Sequence, residues 1–185
     1  KYIYDYLTIQ PAVRYIYNTK YDAPLVPALN LMVEITNELT ARASYAKGFR
    51  APSLKELYFF FVDASHNIRG NQDLEAESSD AYNLGFTYTS VNEKRVLKLE
   101  PNFYFNVIKN KITLANVKND LYSYVNIGQH KTLGTNITLK YIYDDFYNKI
   151  GFNYIGTESF IDGKSNGMRY TPEVTLNSSW KSPLY

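Results

Sequence analysis

Two histidines are the residues of this chain best suited to bind a metal or a metal-containing ligand. His66 lies in the segment Asp63-Ala-Ser-His-Asn67, and His130 lies in a later stretch where apolar and polar residues alternate. An imidazole nitrogen is a good ligand for iron, and the second nitrogen of the ring can be oriented by a hydrogen bond. The pair could flank one porphyrin, or it could be a loop histidine and a strand histidine with no shared task.

Carboxylates form a second candidate site around and after His66. Carboxylate oxygens suit a calcium ion, but their spacing here matches no calcium-binding loop motif, so a solvated acidic loop is the alternative. The residues are Asp63, Asp73, Glu75, Glu77 and Asp80.

Catalytic chemistry finds no support in the sequence. The chain has no cysteine, which excludes disulfides and thiolate metal sites. It also has no His-x-x-x-His motif, no Ser–His–Asp set on recognisable elements and no glycine-rich phosphate loop. We therefore expect a protein that is not an enzyme and has no intrinsic cofactor. The net charge of +2 is too small to predict a nucleic-acid partner.

Alternation of apolar and polar residues predicts an all-β chain with about eight strands. The clearest segment sets Leu97, Leu99 and Phe103 on one face against Lys98 and Asn102 on the other. In a soluble sandwich the apolar face would form the core, whereas in a membrane barrel it would face lipid. The segments span residues 7–18, 29–35, 39–45, 82–89, 97–107, 132–141, 149–157 and 170–180.

Connection lengths favour the membrane barrel. The short connections at 36–38, 91–95 and 144–147 alternate along the chain with longer ones. Outer-membrane barrels have short periplasmic turns at one end and long extracellular loops at the other. The 19 tyrosines are also compatible with a membrane interface. The predicted long connections are 18–25, 48–79, 110–121 and 159–168.

The longest connection, 48–79, carries two sequence motifs. A first box reads Gly48-Phe-Arg-Ala-Pro-Ser-Leu-Lys-Glu-Leu-Tyr58, and a second box reads Gly70-Asn-Gln-Asp-Leu-Glu-Ala-Glu-Ser78. Pro52 and Ser53 predict a short helix that ends at Tyr58. Together the boxes resemble the barrel domain of TonB-dependent outer-membrane receptors, whose pattern is G-F-R-A-P-S-x-x-E-L-Y and then G-N-P-x-L-x-x-E-x-S. Gln72 departs from that pattern, which usually has proline there.

The resemblance implies an antiparallel up-and-down sheet that forms part of a large outer-membrane β-barrel. Residues 1–185 would be a partial barrel domain, with the plug domain absent. The implied function is active transport of a scarce ligand (haem, an iron–siderophore or a corrinoid) across the outer membrane of a Gram-negative bacterium. The implied partners are this small-molecule cargo, outer-membrane lipid, and the TonB energy-coupling complex acting through the missing plug.

Site residues also follow from the resemblance. Haem receptors of this family have a histidine between the two boxes as a candidate axial ligand, and His66 occupies that place. Arg50, Asn71 and His130 are the other ligand-binding candidates, although the two boxes could simply brace the loop against the barrel. The alternative functions are a passive porin-like or structural barrel and a soluble ligand-binding β-sandwich.

Overall fold

The computed structural model describes residues 2–4, 6–161 and 163–181. The described residues form a sheet of 12 strands and one short helix. Each of the eight predicted segments contains a strand, although the first, 7–18, is a strand only as far as Arg14, and four further short strands accompany them. In chain order the elements are β1 Tyr2–Tyr4, β2 Leu7–Arg14, β3 Val26–Glu34, β4 Leu39–Arg50, α1 Leu54–Tyr58, β5 Phe60–Val62, β6 Asn67–Arg69, β7 Glu77–Asn92, β8 Arg95–Lys118, β9 Leu121–Tyr143, β10 Phe146–Ile161, β11 Lys164–Ser165 and β12 Arg169–Trp180.

The sheet is an antiparallel meander, as predicted. Neighbouring strands in space follow the order β1-β2-β3-β4-β7-β8-β9-β10, and β12 pairs with the other edge of β10. The one parallel pairing among the described strands joins the short β6 to β9, at Ile68 with Tyr122 and Arg69 with Ser123. Because β5 and β6 belong to the connection between β4 and β7, this pairing lays that connection against β9.

The register keeps the apolar phase of every long strand on one face of the sheet. Leu99 pairs with Tyr88 on one side and with Leu139 on the other, and Phe103 pairs with Leu84. The polar phase lines a cavity of about 570 Å³ that extends from Gln10 on β2 to Asn102 on β8. A cavity that crosses five strands of a single sheet lies on the concave side. The apolar face is therefore convex and points outward, as predicted.

Very little of the apolar surface is buried. The buried apolar residues among those described are Val26, Leu57, Leu74 and Ile112, whereas Phe103 on the convex face is 45% exposed. A soluble sandwich would bury such a face between two sheets, but the described strands form one sheet. The sandwich alternative is therefore wrong.

Short turns lie together at one end of the sheet. The Thr89 amide donates to the Glu38 carbonyl at 2.8 Å, and the Asp144 amide donates to the Lys94 carbonyl at 2.9 Å. Residues 51–76 connect β4 and β7 at the opposite end. The predicted separation of short turns from the longest connection is confirmed.

The predicted loop 110–121 is wrong. Strands β8 and β9 continue beyond the neighbouring strands as a projecting hairpin, residues 111–127, which is closed by a turn at Asn119 and Asp120. Both turn residues have positive φ, a conformation that Asn and Asp tolerate. Asn110 interrupts the ladder with φ of +53°, so the alternation weakens there although the strand goes on. Strand β10 likewise continues to Ile161, into the predicted loop 159–168.

Candidate functional site

The first box begins the connection with a capped helix. The Ser53 hydroxyl accepts the Glu56 amide at 3.3 Å, and the Glu56 carboxylate accepts the Ser53 amide at 2.7 Å. This reciprocal arrangement is a capping box, which satisfies backbone donors at the start of a helix. It accounts for the predicted helix, which the structure places at Leu54–Tyr58.

Arg50 joins the helix to two strands. Its guanidinium contacts the Glu56 carboxylate at 2.8 Å and forms two hydrogen bonds of 2.8 Å with the Glu77 carboxylate. Glu77 also accepts the Ile112 amide at 2.6 Å. Arg50 ends β4 and Glu77 begins β7, so this network fixes both ends of the connection and ties them to the projecting hairpin. Bidentate pairing of this kind is the strongest form of arginine–carboxylate contact.

The charges in this network shift the pKa values of its members. Burial raises the pKa of the Glu77 carboxyl, but the hydrogen bonds from Arg50 and from the Ile112 amide outweigh burial and hold that pKa below its ordinary value. For Glu56, burial acts in the same upward direction, and Arg50 and Ser53 again lower the pKa overall. The hydrogen bonds with Glu77 and then with Glu56 raise the pKa of Arg50. The network is therefore fully ionised at neutral pH.

The second box packs against the first and against β9. The Asn71 amide donates to the Glu56 carbonyl at 2.9 Å, and the Asn71 side chain donates to the Tyr124 carbonyl at 3.0 Å. Gly70 lies against the end of the helix, where an added Cβ would come within 2.6 Å of the Leu57 carbonyl group. Only glycine fits this close approach.

A small apolar core holds the two boxes to the projecting hairpin. Leu57 from the first box and Leu74 from the second pack with Ile112, and Tyr124 packs against this cluster. The structure thus brings Arg50 and Asn71 together on Glu56 and occupies their polar groups with protein partners. This geometry favours the bracing role for these two residues.

His66 lies in the tight turn between β5 and β6, which the Asp63 amide closes by donating to the His66 carbonyl at 2.8 Å. One Asp63 carboxylate oxygen accepts the amides of Ser65 and His66, both at 2.7 Å. The His66 Nδ1 atom lies 3.0 and 3.1 Å from the two carboxylate oxygens. The Ser65 amide, against a smaller opposing effect of burial and with the further help of His66, keeps the pKa of Asp63 below its ordinary value.

The surroundings of His66 fit a flat, apolar, metal-containing ligand. Its side chain is 53% exposed, and its ring centroid lies 5.1 Å from that of Phe61. No described residue forms a hydrogen bond with His66 Nε2. Phe60 pairs with Arg69, one position along β5 from Phe61, so these two side chains lie on the other face of the hairpin, where the guanidinium is 5.5 Å from the Phe60 ring. An exposed imidazole beside one aromatic ring suits a porphyrin whose iron the imidazole binds.

The contact between Asp63 and His66 was not predicted from the sequence, in which Asp63 was grouped with the other acidic residues. The available signal is the spacing Asp63-x-x-His66, because an aspartate can accept backbone amides two and three residues ahead in a tight turn. The other acidic residues are also dispersed by the structure: Glu77 pairs with Arg50, Asp80 accepts the Tyr45 hydroxyl, and Glu75 accepts the Asn110 side chain. Within residues 2–4, 6–161 and 163–181, no group of three or more His, Cys, Asp or Glu side chains is arranged to hold a metal ion.

The two histidines lie far apart. His130 belongs to β9, pairs with Ile108, and places Nδ1 2.9 Å from the Ser159 hydroxyl. The β6 strand that follows His66 meets β9 at Tyr122, eight residues before His130. At about 3.3 Å per residue this separation is roughly 26 Å along the strand. His66 and His130 therefore do not flank one porphyrin in this structure.

The family of the chain follows from comparison with known proteins. The family model for "TonB dependent receptor-like, beta-barrel" matches residues 2–184. The chain belongs to this family. The match accounts for the convex apolar face and for the two boxes, and it agrees with the expectation of a receptor rather than an enzyme. No helix in the described part of the chain is long and apolar enough to cross a membrane.

This chain matches only a small part of the length of its named relatives. The "Hemoglobin and hemoglobin-haptoglobin-binding protein C" of Haemophilus influenzae is 36% identical over 80 residues, which are 43% of this chain and 8% of that protein. The "Probable hemoglobin and hemoglobin-haptoglobin-binding protein 1" of the same species is 27% identical over 174 residues, 84% of this chain and 16% of that protein. The chain thus spans less than a fifth of either relative.

Solved structures confirm the fold. The siderophore receptor PirA from Pseudomonas aeruginosa superposes with a TM-score of 0.64 at 17% identity, over 94% of this chain and 37% of that chain. A double mutant of the Serratia marcescens hemophore receptor HasR, in complex with its hemophore HasA and heme, gives a TM-score of 0.64 at 15% identity, over 95% of this chain and 41% of that chain. The chain therefore has the fold of part of a larger receptor barrel.

Proposed function

We propose that this chain is part of an outer-membrane receptor that binds haem at the end of the barrel opposite the short turns. The receptor would lie in the outer membrane of a Gram-negative bacterium, with its convex face against lipid. A plug domain and the TonB system would supply the energised step, as the family implies. Haem is the transported cargo in this proposal and not a resident cofactor.

The observation that carries the proposal is the exposed imidazole of His66, whose Nδ1 is occupied by Asp63 and whose Nε2 is free of described partners. A neutral imidazole in this state offers one nitrogen to iron. The names of the Haemophilus influenzae relatives supply a second, independent line of support, because haemoglobin is a source of haem.

The convex face supports the membrane location. Aliphatic side chains such as Ile150 and Leu176 are exposed there, 42% and 69% respectively. Aromatic pairs lie to either side of them along the strands: Phe146 stacks on Trp180 near the short turns, and Tyr154 stacks on Tyr170 further along. An apolar band between aromatic rows is typical of a transmembrane barrel.

The test is a haemin titration of the full-length receptor carrying His66→Ala. We expect the variant to bind haemin more weakly and to lose the absorption features of histidine-ligated iron. His130→Ala is the matched control, because His130 lies roughly 26 Å along β9 from the point where β6 pairs with that strand, so its loss should leave the spectrum unchanged. Assembly of each variant is checked first by heat-modifiable migration on gels, so that misfolding is not mistaken for lost ligation.

An unchanged haemin titration in a correctly assembled His66→Ala receptor would refute His66 as the haem ligand, whereas failure of the unaltered receptor to bind haemin would refute haem as the cargo. If the unaltered receptor binds no haemin, the cargo would be an iron–siderophore or a corrinoid, which other receptors with the same two boxes transport.

A further inference from the structure

Asp63 makes more contacts with His66 than are needed to form the turn between β5 and β6. A turn of this kind needs one carboxylate oxygen to accept the amides of Ser65 and His66. Here the same carboxylate also contacts the imidazole, with Nδ1 at 3.0 Å from one oxygen and 3.1 Å from the other. The imidazole ring also packs against the Phe61 ring, with 5.1 Å between the two ring centroids. Position and orientation of the imidazole are thus both defined.

The chemistry of the contact fixes the proton on the ring. An ionised carboxylate only accepts hydrogen bonds, so the Nδ1 atom facing it must carry the hydrogen. A neutral imidazole has a single N–H group, and therefore Nε2 carries the lone pair. This is the tautomer that a histidine needs in order to bind a metal through Nε2.

We propose that Asp63 is a positioning residue that holds His66 in its Nδ1–H tautomer and presents Nε2 to the haem iron. The inference rests on the proposed function, since it assigns a second residue to the same site. Asp63 does not touch the cargo. It acts through His66, both by orienting the ring and by making the imidazole a stronger electron donor, and losing such a partner typically lowers metal affinity 10- to 100-fold.

Asp63→Asn separates the charge from the turn. Asparagine keeps an oxygen that can accept the Ser65 and His66 amides, so the turn persists, but it is neutral and its amide group can donate to Nδ1. Asp73→Asn is the matched control, because Asp73 is an exposed acidic residue of the same connection whose described hydrogen bond uses its backbone amide, donated to Asn71. Both variants remove one negative charge.

The first measurement is the tautomer of His66 in the cargo-free, full-length receptor, labelled with nitrogen-15 histidine. The His66→Ala variant identifies which signals belong to His66. We expect the Nδ1–H tautomer in the unaltered receptor and in Asp73→Asn, and a shift toward the Nε2–H tautomer in Asp63→Asn.

The second measurement is binding of ferric haemin and the reduction potential of the bound haem. We expect Asp63→Asn to bind haemin about 10- to 100-fold more weakly. Its potential should be higher, because a less electron-rich imidazole stabilises ferric iron less. Asp73→Asn should match the unaltered receptor in both measurements.

Three results would overturn the inference, and they distinguish it from the proposed function. An Nε2–H tautomer in the unaltered receptor refutes the positioning role even if His66→Ala abolishes haemin binding, and the haem function then stands. Equal haemin affinity and equal haem reduction potential in Asp63→Asn and Asp73→Asn also refute the positioning role and leave the haem function standing. An Nδ1–H tautomer together with unchanged haemin binding in His66→Ala refutes haem ligation by His66 and the positioning role together, whereas an unaltered receptor that binds no haemin refutes the haem function itself.

Discussion

Replacing Phe103 by arginine tests the assignment of the two faces. Phe103 lies on the convex face of β8, is 45% exposed, and is paired with Leu84 on β7 and Thr135 on β9. An arginine at the middle of a lipid-facing strand costs about 2–4 kcal/mol. Since about 1.4 kcal/mol corresponds to a tenfold change, the folded, inserted form should be disfavoured roughly 30- to 700-fold.

Asn102→Arg is the matched control, because the adjacent residue of the same strand points to the opposite face. Asn102 lines the cavity on the concave side and pairs with Gly85 and Asn136. A new cation there meets a polar, water-accessible surface, so we expect only a small change in stability. The two variants share the strand, the depth and the introduced charge, and they differ only in the face.

The assay is reversible urea unfolding of the full-length receptor in lipid vesicles, followed by tryptophan fluorescence and by heat-modifiable migration. Phe103→Arg should unfold at a clearly lower urea concentration than Asn102→Arg. Equal free energies of unfolding for the two variants would refute the assignment of the convex face to lipid. A larger loss for Asn102→Arg would reverse the two faces.

Two further predictions concern the connection between β4 and β7. The pKa of Glu77 is lowered in the folded protein, so its stabilising contribution is complete above the ordinary glutamate pKa of about 4.3 and is lost as pH falls through the lower folded-state value. Protease protection of residues 51–76 should therefore fall as the pH is lowered from about 4.3 through the folded-state pKa of Glu77. In Arg50→Gln the protection should be weaker and should depend less on pH. Identical pH profiles for the two proteins would contradict the role of the ion pair. Gly70→Ala should expose the connection to protease at neutral pH while the barrel stays assembled, because the new methyl group overlaps the Leu57 carbonyl; undiminished protection would show that the helix end can shift.

Local patterns were enough to predict the strands and the helix. Strand periodicity is a property of neighbouring residues, and each of the eight alternating segments contains a strand in the structure. The helix start depends on Ser53 and Glu56, three residues apart, so its signal is also local. The two boxes identify the family because their residue types and order are specific even without a structure.

Tertiary structure decided what the same local patterns left open. Alternation has the same form whether the apolar face meets a core or lipid, and the concave cavity and the uncovered convex face show which of the two this sheet has. The continuation of β8 past Asn110 depends on its pairing with β9 rather than on its own sequence.

The site was decided in the same way. The contact of Asn71 with Tyr124 joins residues 53 positions apart, and that of Arg50 with Glu77 joins residues 27 positions apart. Such contacts depend on how strands are placed side by side, which no short window of sequence encodes. The separation of His66 from His130 is set by the same packing. The sequence shows only that both residues are histidines, whereas the pairing of β6 with β9 places them at different positions along β9. The sequence by itself determined the periodicity, the caps and the family motifs, because these act between near neighbours; the partners of each side chain were decided by the sheet.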